Sequence, residues 1–134
     1  MKTSNFANWQ RQRFPGAISI SRFPDRRSGF DGPEFPPLMP SSQLLKAYKD
    51  GLIDWDKYTA LYRFQLDCLN PERVYHRLIS LIMPDETSAD EIPEPILLCY
   101  ESAKTLDTQP CHRRLVAEWF EQELGIDMPE WSKQ

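Results

Sequence analysis

An α/β fold with a single small domain, spanning 1–134, and a mostly parallel sheet of three to four strands flanked by helices is expected from three observations. The run "ILLCY" (96–100) is apolar on both alternating faces, the habit of a strand covered on both sides in a parallel sheet. Three helical patterns, each with its own start and stop signals, stand between that run and an earlier β-branched segment, "AISIS". A chain of 134 residues suits one domain with its own core. Strands separated by helices in this way give a layered fold with a small sheet.

Composition alone leaves "MKTSN" unassigned. "AISIS" (Ala17 to Ser21) alternates apolar and polar residues and predicts a strand. From Arg22 to Pro40 the chain carries five prolines and two glycines, which restrict φ or remove backbone donors, so a long loop is expected. A loop of that length inside a compact domain is usually functional or disordered. Its three arginines and three phenylalanines lean toward function. Ser41 or Ser42 caps a helix with Leu44, Leu45 and Tyr48 on one face, stopped by Asp50-Gly51. Asp54 caps a second, whose Tyr58, Leu61, Tyr62, Leu66 and Leu69 form one apolar stripe. Asn70-Pro71-Glu72 opens a third, which buries Val74, Tyr75, Leu78, Ile79 and Ile82 and ends before Pro84. "PDETSADEIPEP" (84–95) has five acids and three prolines and is expected to be an exposed connector. After the strand at 96–100, a last helix runs from about Pro110 to Leu124 with Leu115, Val116, Trp119, Phe120 and Leu124 inward and Gly125 at its end. "IDMPEW" returns as a short strand at a sheet edge or end, where Pro129 is tolerated.

Charge and cysteine usage narrow the functions. A net charge of −4 argues against broad, nonspecific attraction to nucleic acid, so an anion site has to be local. Three cysteines cannot all pair, and no basic start followed by an apolar run marks a signal peptide, so a cytoplasmic protein with free, reduced cysteines is expected. No apolar stretch approaches the roughly 18 residues of a membrane span. Glycine-rich dinucleotide and phosphate loops are absent, and no cofactor is expected.

The chemistry gathers at "LCYESAKTLDTQPCHRRLVAEW" (98–119). If 96–100 is a strand, Leu97, Cys99 and Glu101 share a face, with Glu101 at the carboxyl end, where open α/β sheets bind ligands. Cys111 and His112 then fall in the first turn of the last helix, where its amide groups and positive dipole end favour a thiolate or an anion. Arg113 and Arg114 add cationic forks suited to phosphate or carboxylate, one of them expected on the solvated surface. Burial habit alone would place Cys68 in the core, leave Cys99 open between core and chemistry, and put His76 on the surface. Zinc ligand types are present in Cys99, Glu101, Cys111 and His112. Yet adjacent Cys111 and His112 depart from the paired spacing of structural zinc sites, and no metal is expected.

The stretch "ILLCYESAKTLDTQPCHRRLVAEWFEQELGIDMPEW" resembles the domain of unknown function 488 family, which carries a Leu-Leu-Cys-x-Glu strand end, a short loop, and Cys-His-Arg opening a helix. "TSNFAN", "AISISRFP" and "LMPSSQLLKAYKDGLIDWDKYTALY" resemble further segments of that family, so nearly the whole chain is covered. The resemblance implies that "MKTSN" is the first strand, that Thr3 and Ser4 lie near Arg22 and the Cys-His-Arg turn, and that the function is uncharacterised. By matching position it implies Ser4, Arg22, Cys99, Glu101, Cys111, His112 and Arg113 as site candidates. The chain departs from the family pattern in a longer loop from Ser102 to Pro110 and an extended acidic connector.

Together these features predict a binder of a small anionic compound, such as a nucleotide or phosphorylated metabolite, with Arg22 and Arg113 as the clamp and Ser4 and Cys99 beside it. Glu101 and His112 are its acid and base candidates and Cys111 its nucleophile candidate, should it be an enzyme. One alternative is an interaction module that uses the segment from Phe23 to Pro40, with Arg113 bridged to Glu101. Another is a single-strand nucleic acid binder using Arg11, Arg13, Arg22, Arg26 and Arg27 with Trp9, Phe14 and Phe23.

Overall fold

A computed structural model describes residues 1–23, 27–83, 93–100 and 111–132. The fold is α/β. Strands β1 (Lys2–Asn5), β2 (Ala17–Ser19) and β3 (Ile96–Cys99) form a parallel sheet in the order β1-β3-β2. Lys2 and Ala17 both stand opposite Ile96, and Asn5 stands opposite Cys99. Single parallel bridges extend both edges, Thr3 to Glu130 beside β1 and Ser19 to Glu34 beside β2. The first places "IDMPEW" at a sheet edge, as Pro129 requires.

Side-chain parity sorts the core into two layers. Ala17, Ile96 and Leu98 face α1 (Phe6–Gln12) and pack with Phe6, Trp9 and Phe14. Ile18, Ile20 and Leu97 face the other way, into a larger core shared with α2 (Ser42–Lys49), α3 (Trp55–Asp67), α4 (Pro71–Ile82) and α5 (His112–Leu124). Sealed on both faces, β3 is apolar along its length.

The caps explain the boundaries. Ser41, Asp54 and Asn70 each accept a hydrogen bond from the backbone N–H three residues on, satisfying a donor that the first turn would leave unpaired. Asn5 does the same for α1, a seven-residue helix that hydrophobic periodicity does not reveal. Gly16 holds φ +82° before β2, and a β-carbon there would lie 2.1 Å from the Glu94 carbonyl oxygen, so the close approach of the 93–95 segment requires glycine.

Several expectations are revised. The loop from Arg22 to Pro40 contains one turn of 3-10 helix at Pro36–Leu38 and buries Phe35, Leu38 and Met39, so much of it is core. Leu61 is exposed; the stripe on α3 is carried by Tyr58, Tyr62 and Leu66. Cys68 caps α3 and is exposed, where burial habit placed it inside. On α4, Val74 and Leu78 are buried and His76 is exposed, as expected. The connector residues 84–92 lie outside the described part of the chain.

Tyr62 ties α3 to the loop by donating its buried hydroxyl to the Leu38 carbonyl. Burial raises its pKa well above 10, so the hydroxyl stays a donor. Tyr62→Phe leaves that carbonyl unpaired and is expected to cost about 1–2 kcal/mol in a urea melt. A variant as stable as wild type would show that the bond contributes nothing.

Candidate functional site

Because parallel strands leave their carboxyl ends together, Asn5, Ser19 and Cys99 finish at one edge of the sheet. Cys99 is on the side of Leu97, facing the start of α5. There Cys111 is the N-cap, with extended backbone at φ −126°, and His112 is the first helical residue, two positions later than the helix start expected at Pro110. Cys111 makes no side-chain capping bond. The first turn of α5 thus meets the end of β3.

The expectation of free thiols holds for Cys68 and is not confirmed for the other two cysteines. The Cys99 and Cys111 sulfurs lie within bonding distance, as in a disulfide, although their Cα atoms are 7.2 Å apart, beyond the usual span of about 4.4–6.8 Å. The cause is the juxtaposition of strand end and helix cap, which the strand-end rule brings together but which spacing alone does not show to be in sulfur-to-sulfur contact.

His112 is 7% exposed, and its Nε2 lies 2.7 Å from the Ile20 carbonyl oxygen. A carbonyl only accepts, so Nε2 carries the proton and Nδ1 of the neutral ring keeps its lone pair. Nδ1 is 3.8 Å from the Cys111 sulfur. Burial lowers the His112 pKa from 6.5 to about 4; the Ile20 contact opposes this and the Arg113 charge adds to it. The imidazole is therefore neutral at pH 7.

Arg113 is fully buried and engaged. Its Nε and one terminal nitrogen donate to Glu130 at 3.0 and 2.6 Å, and the other terminal nitrogen donates to the Cys99 sulfur at 3.1 Å. A fixed positive charge beside that sulfur complements the negative charge a thiolate would carry. Arg114, half-buried, donates to the Thr3 hydroxyl at 2.8 Å and the Met128 carbonyl at 2.9 Å, and Thr3 in turn donates to Glu130. Neither arginine is the solvated residue that was expected of one of them. Among the described residues the carboxylate partner of Arg113 is Glu130, while Glu101 lies outside them.

A cleft of about 250 Å³ opens over the end of β3. Cys99 and His112 line it, with Ser21, Arg22, Pro40 and Lys49 among its walls. Arg22 is held in place by donating Nε to the Pro40 carbonyl at 3.0 Å, and Lys49 Nζ sits 5.3 Å above the Phe23 ring. Tyr100 donates its hydroxyl to the Phe23 carbonyl and closes one side. Cys111 faces a smaller adjoining space lined by Tyr48, Trp55, Tyr58 and His112.

Of the candidate residues, Arg22, Cys99 and His112 come together at the cleft, Cys111 lies beside them, and Arg113 lies behind Cys99. Ser4 is on the opposite face of the sheet, level with Leu98, where its hydroxyl accepts from Asn8 at 3.3 Å. Trp9, on α1, and Phe14, just after it, are aromatics among the early arginines, and both are buried against Ala17, Ile96 and Leu98 of the sheet. Sequence reasoning missed Lys49 and Glu130. Lys49 is one of two lysines in the last turn of its helix, and only its place at the cleft wall distinguishes it. Glu130 was foreshadowed only by the expectation that its segment returns to the sheet.

The fold and site define a class: a small parallel α/β protein whose cysteines, histidine and arginine converge where the central strand ends and the last helix begins. The DUF488-N3a family model, described as the active DUF488-N3 subclade, matches residues 10–124, and the chain belongs to that family. No curated protein and no solved structure matches the chain. Among the described residues, no helix is long and apolar enough to cross a membrane.

Proposed function

We propose that the cleft over the end of β3 binds a small anion of the phosphate-ester or nucleotide class. The observation that carries this reading is the pairing of Arg22 and Lys49 at the walls of a cleft whose lining includes Cys99 and His112. A guanidinium presents a planar fork and an ammonium a point charge, and both suit phosphate oxygens. The cleft is partly enclosed, which reduces the screening that weakens such contacts in open water. Arg113 supports the site from behind, as its donors are directed to Glu130 and Cys99. The reacting groups within reach of a bound ligand are the Cys99 sulfur and the neutral His112 ring, and the description of the subclade as active accords with chemistry there.

Thermal shift with inorganic phosphate, nucleoside monophosphates and sugar phosphates, in the presence of a chelator, tests the reading. A ligand at about 100 times its Kd adds about 2.7 kcal/mol, which raises Tm by about 5–10 °C in a domain of this size. Arg22→Ala combined with Lys49→Ala is expected to reduce that rise to about 1 °C while leaving the ligand-free Tm within about 2 °C of wild type. If no anion raises Tm, or the double variant responds as wild type does, the reading is wrong.

A further inference from the structure

We propose that, once the Cys99–Cys111 disulfide is reduced, the two sulfurs and His112 Nδ1 bind one thiophilic divalent ion of the zinc type, with its fourth coordination position open to the cleft. The ligand atoms of these three buried residues lie within 4.8 Å of one another. The Nε2 bond to Ile20 supplies the outer contact that orients a ligating imidazole and leaves Nδ1 facing the sulfurs. Around a tetrahedral zinc, with bonds of about 2.3 Å to sulfur and about 2.0 Å to nitrogen, neighbouring sulfur and nitrogen atoms stand about 3.5 Å apart and two sulfurs about 3.8 Å. The Cys111 sulfur and Nδ1, at 3.8 Å, already lie close to such an edge. The Cα separation of 7.2 Å exceeds the usual span of about 4.4–6.8 Å for a disulfide, so the backbone leaves the sulfurs room to part to that distance.

The adjacency of Cys111 and His112, which counted against zinc in the sequence, has a structural resolution. Cys111 is extended and His112 is helical, so neighbouring residues supply two ligands from different backbone directions, and the third comes from the strand end. Charge is accommodated too: two thiolates and Glu130 are offset by the ion and Arg113. Two sulfurs, one imidazole and an open position form the ligand set of a catalytic rather than a purely structural zinc site.

Reduction adds two electrons and two protons. A phosphine reductant supplies the electrons, water supplies the protons, and the oxygen of that water ends on phosphorus. The bound ion then displaces both thiol protons. The proposal extends the anion reading by placing an ion in the floor of the same cleft, but its test uses no anion, so the two can fail separately.

The test is a titration of phosphine-reduced, metal-free protein with Co²⁺ under nitrogen. One equivalent is expected to produce the visible bands of tetrahedral cobalt and a sulfur-to-cobalt charge-transfer band, both removed by Zn²⁺. Cys99→Ser and Cys111→Ser are expected to weaken binding at least about 100-fold, and Cys68→Ser to leave it unchanged. Should the serine variants fail to fold by circular dichroism, X-ray absorption on the wild-type zinc protein decides, with two sulfurs and one imidazole expected in the coordination sphere. Absence of the bands in wild type, their survival in a folded Cys111→Ser protein, or fewer than two coordinated sulfurs would overturn the proposal.

Discussion

Arg113→Ala is expected to lower stability by about 3 kcal/mol, because it removes a fully buried guanidinium with its packing and takes from the part-buried Glu130 its charged partner. In a domain of this size the loss corresponds to a fall in Tm of about 10 °C. The geometry makes the effect structural. Arg113 joins α5 to the bridge that extends β1 at Glu130, and it touches Cys99 on β3, so its removal loosens three elements at once. A double-mutant cycle with Glu130→Ala, measured by urea unfolding, is expected to show coupling of about 1–3 kcal/mol. An Arg113→Ala protein that melts like wild type but no longer responds to anions would instead return Arg113 to the clamp role expected of it from the sequence.

The second large effect is a loss of stability on acidification that belongs to one residue. His112 is held neutral in the fold, with its pKa near 4, whereas the unfolded chain takes up a proton below 6.5. Its contribution is therefore complete above pH 6.5 and declines as the pH falls toward 4, reaching about 2 kcal/mol of loss by pH 5 and about 3 kcal/mol in all. Urea melts of the metal-free protein at pH 7 and pH 5 measure it. Wild type should lose about 2 kcal/mol more than His112→Asn over that interval. Parallel losses in the two proteins would mean that His112 is not the residue responsible.

Much of the architecture was legible because it rests on local physics. Ser41, Asp54 and Asn70 announce helix starts through their own side chains, and "ILLC" announces a doubly covered strand through its lack of polar positions. α1 was not legible: it has seven residues, of which Phe6 and Trp9 are buried, too few turns for a hydrophobic period to emerge. β1 is short and polar, and only the family resemblance placed it. The site was half visible. The arrival of Cys99 opposite the α5 start follows from strand parity and the rule for strand ends, so Cys99, Cys111 and His112 could be grouped beforehand. The Glu130 partner of Arg113 and the Lys49 side of the cleft depend on how distant elements dock, and no local pattern records that.

The strand order also has a kinetic meaning. β1 and β2 are close in sequence but do not pair with each other; each waits for β3, which arrives more than seventy residues after β2. During synthesis the two early strands emerge with unsatisfied edges, and the sheet closes only when Ile96–Cys99 inserts between them. Closing such long loops before any ladder forms slows folding and prolongs exposure of strand edges. Helices α2 to α4, which lie wholly within that interval and carry their own caps, can assemble first and act as the platform on which the sheet is completed. Cys99 and His112, which β3 and α5 bring to the cleft, would then be among the last of its lining to reach their places.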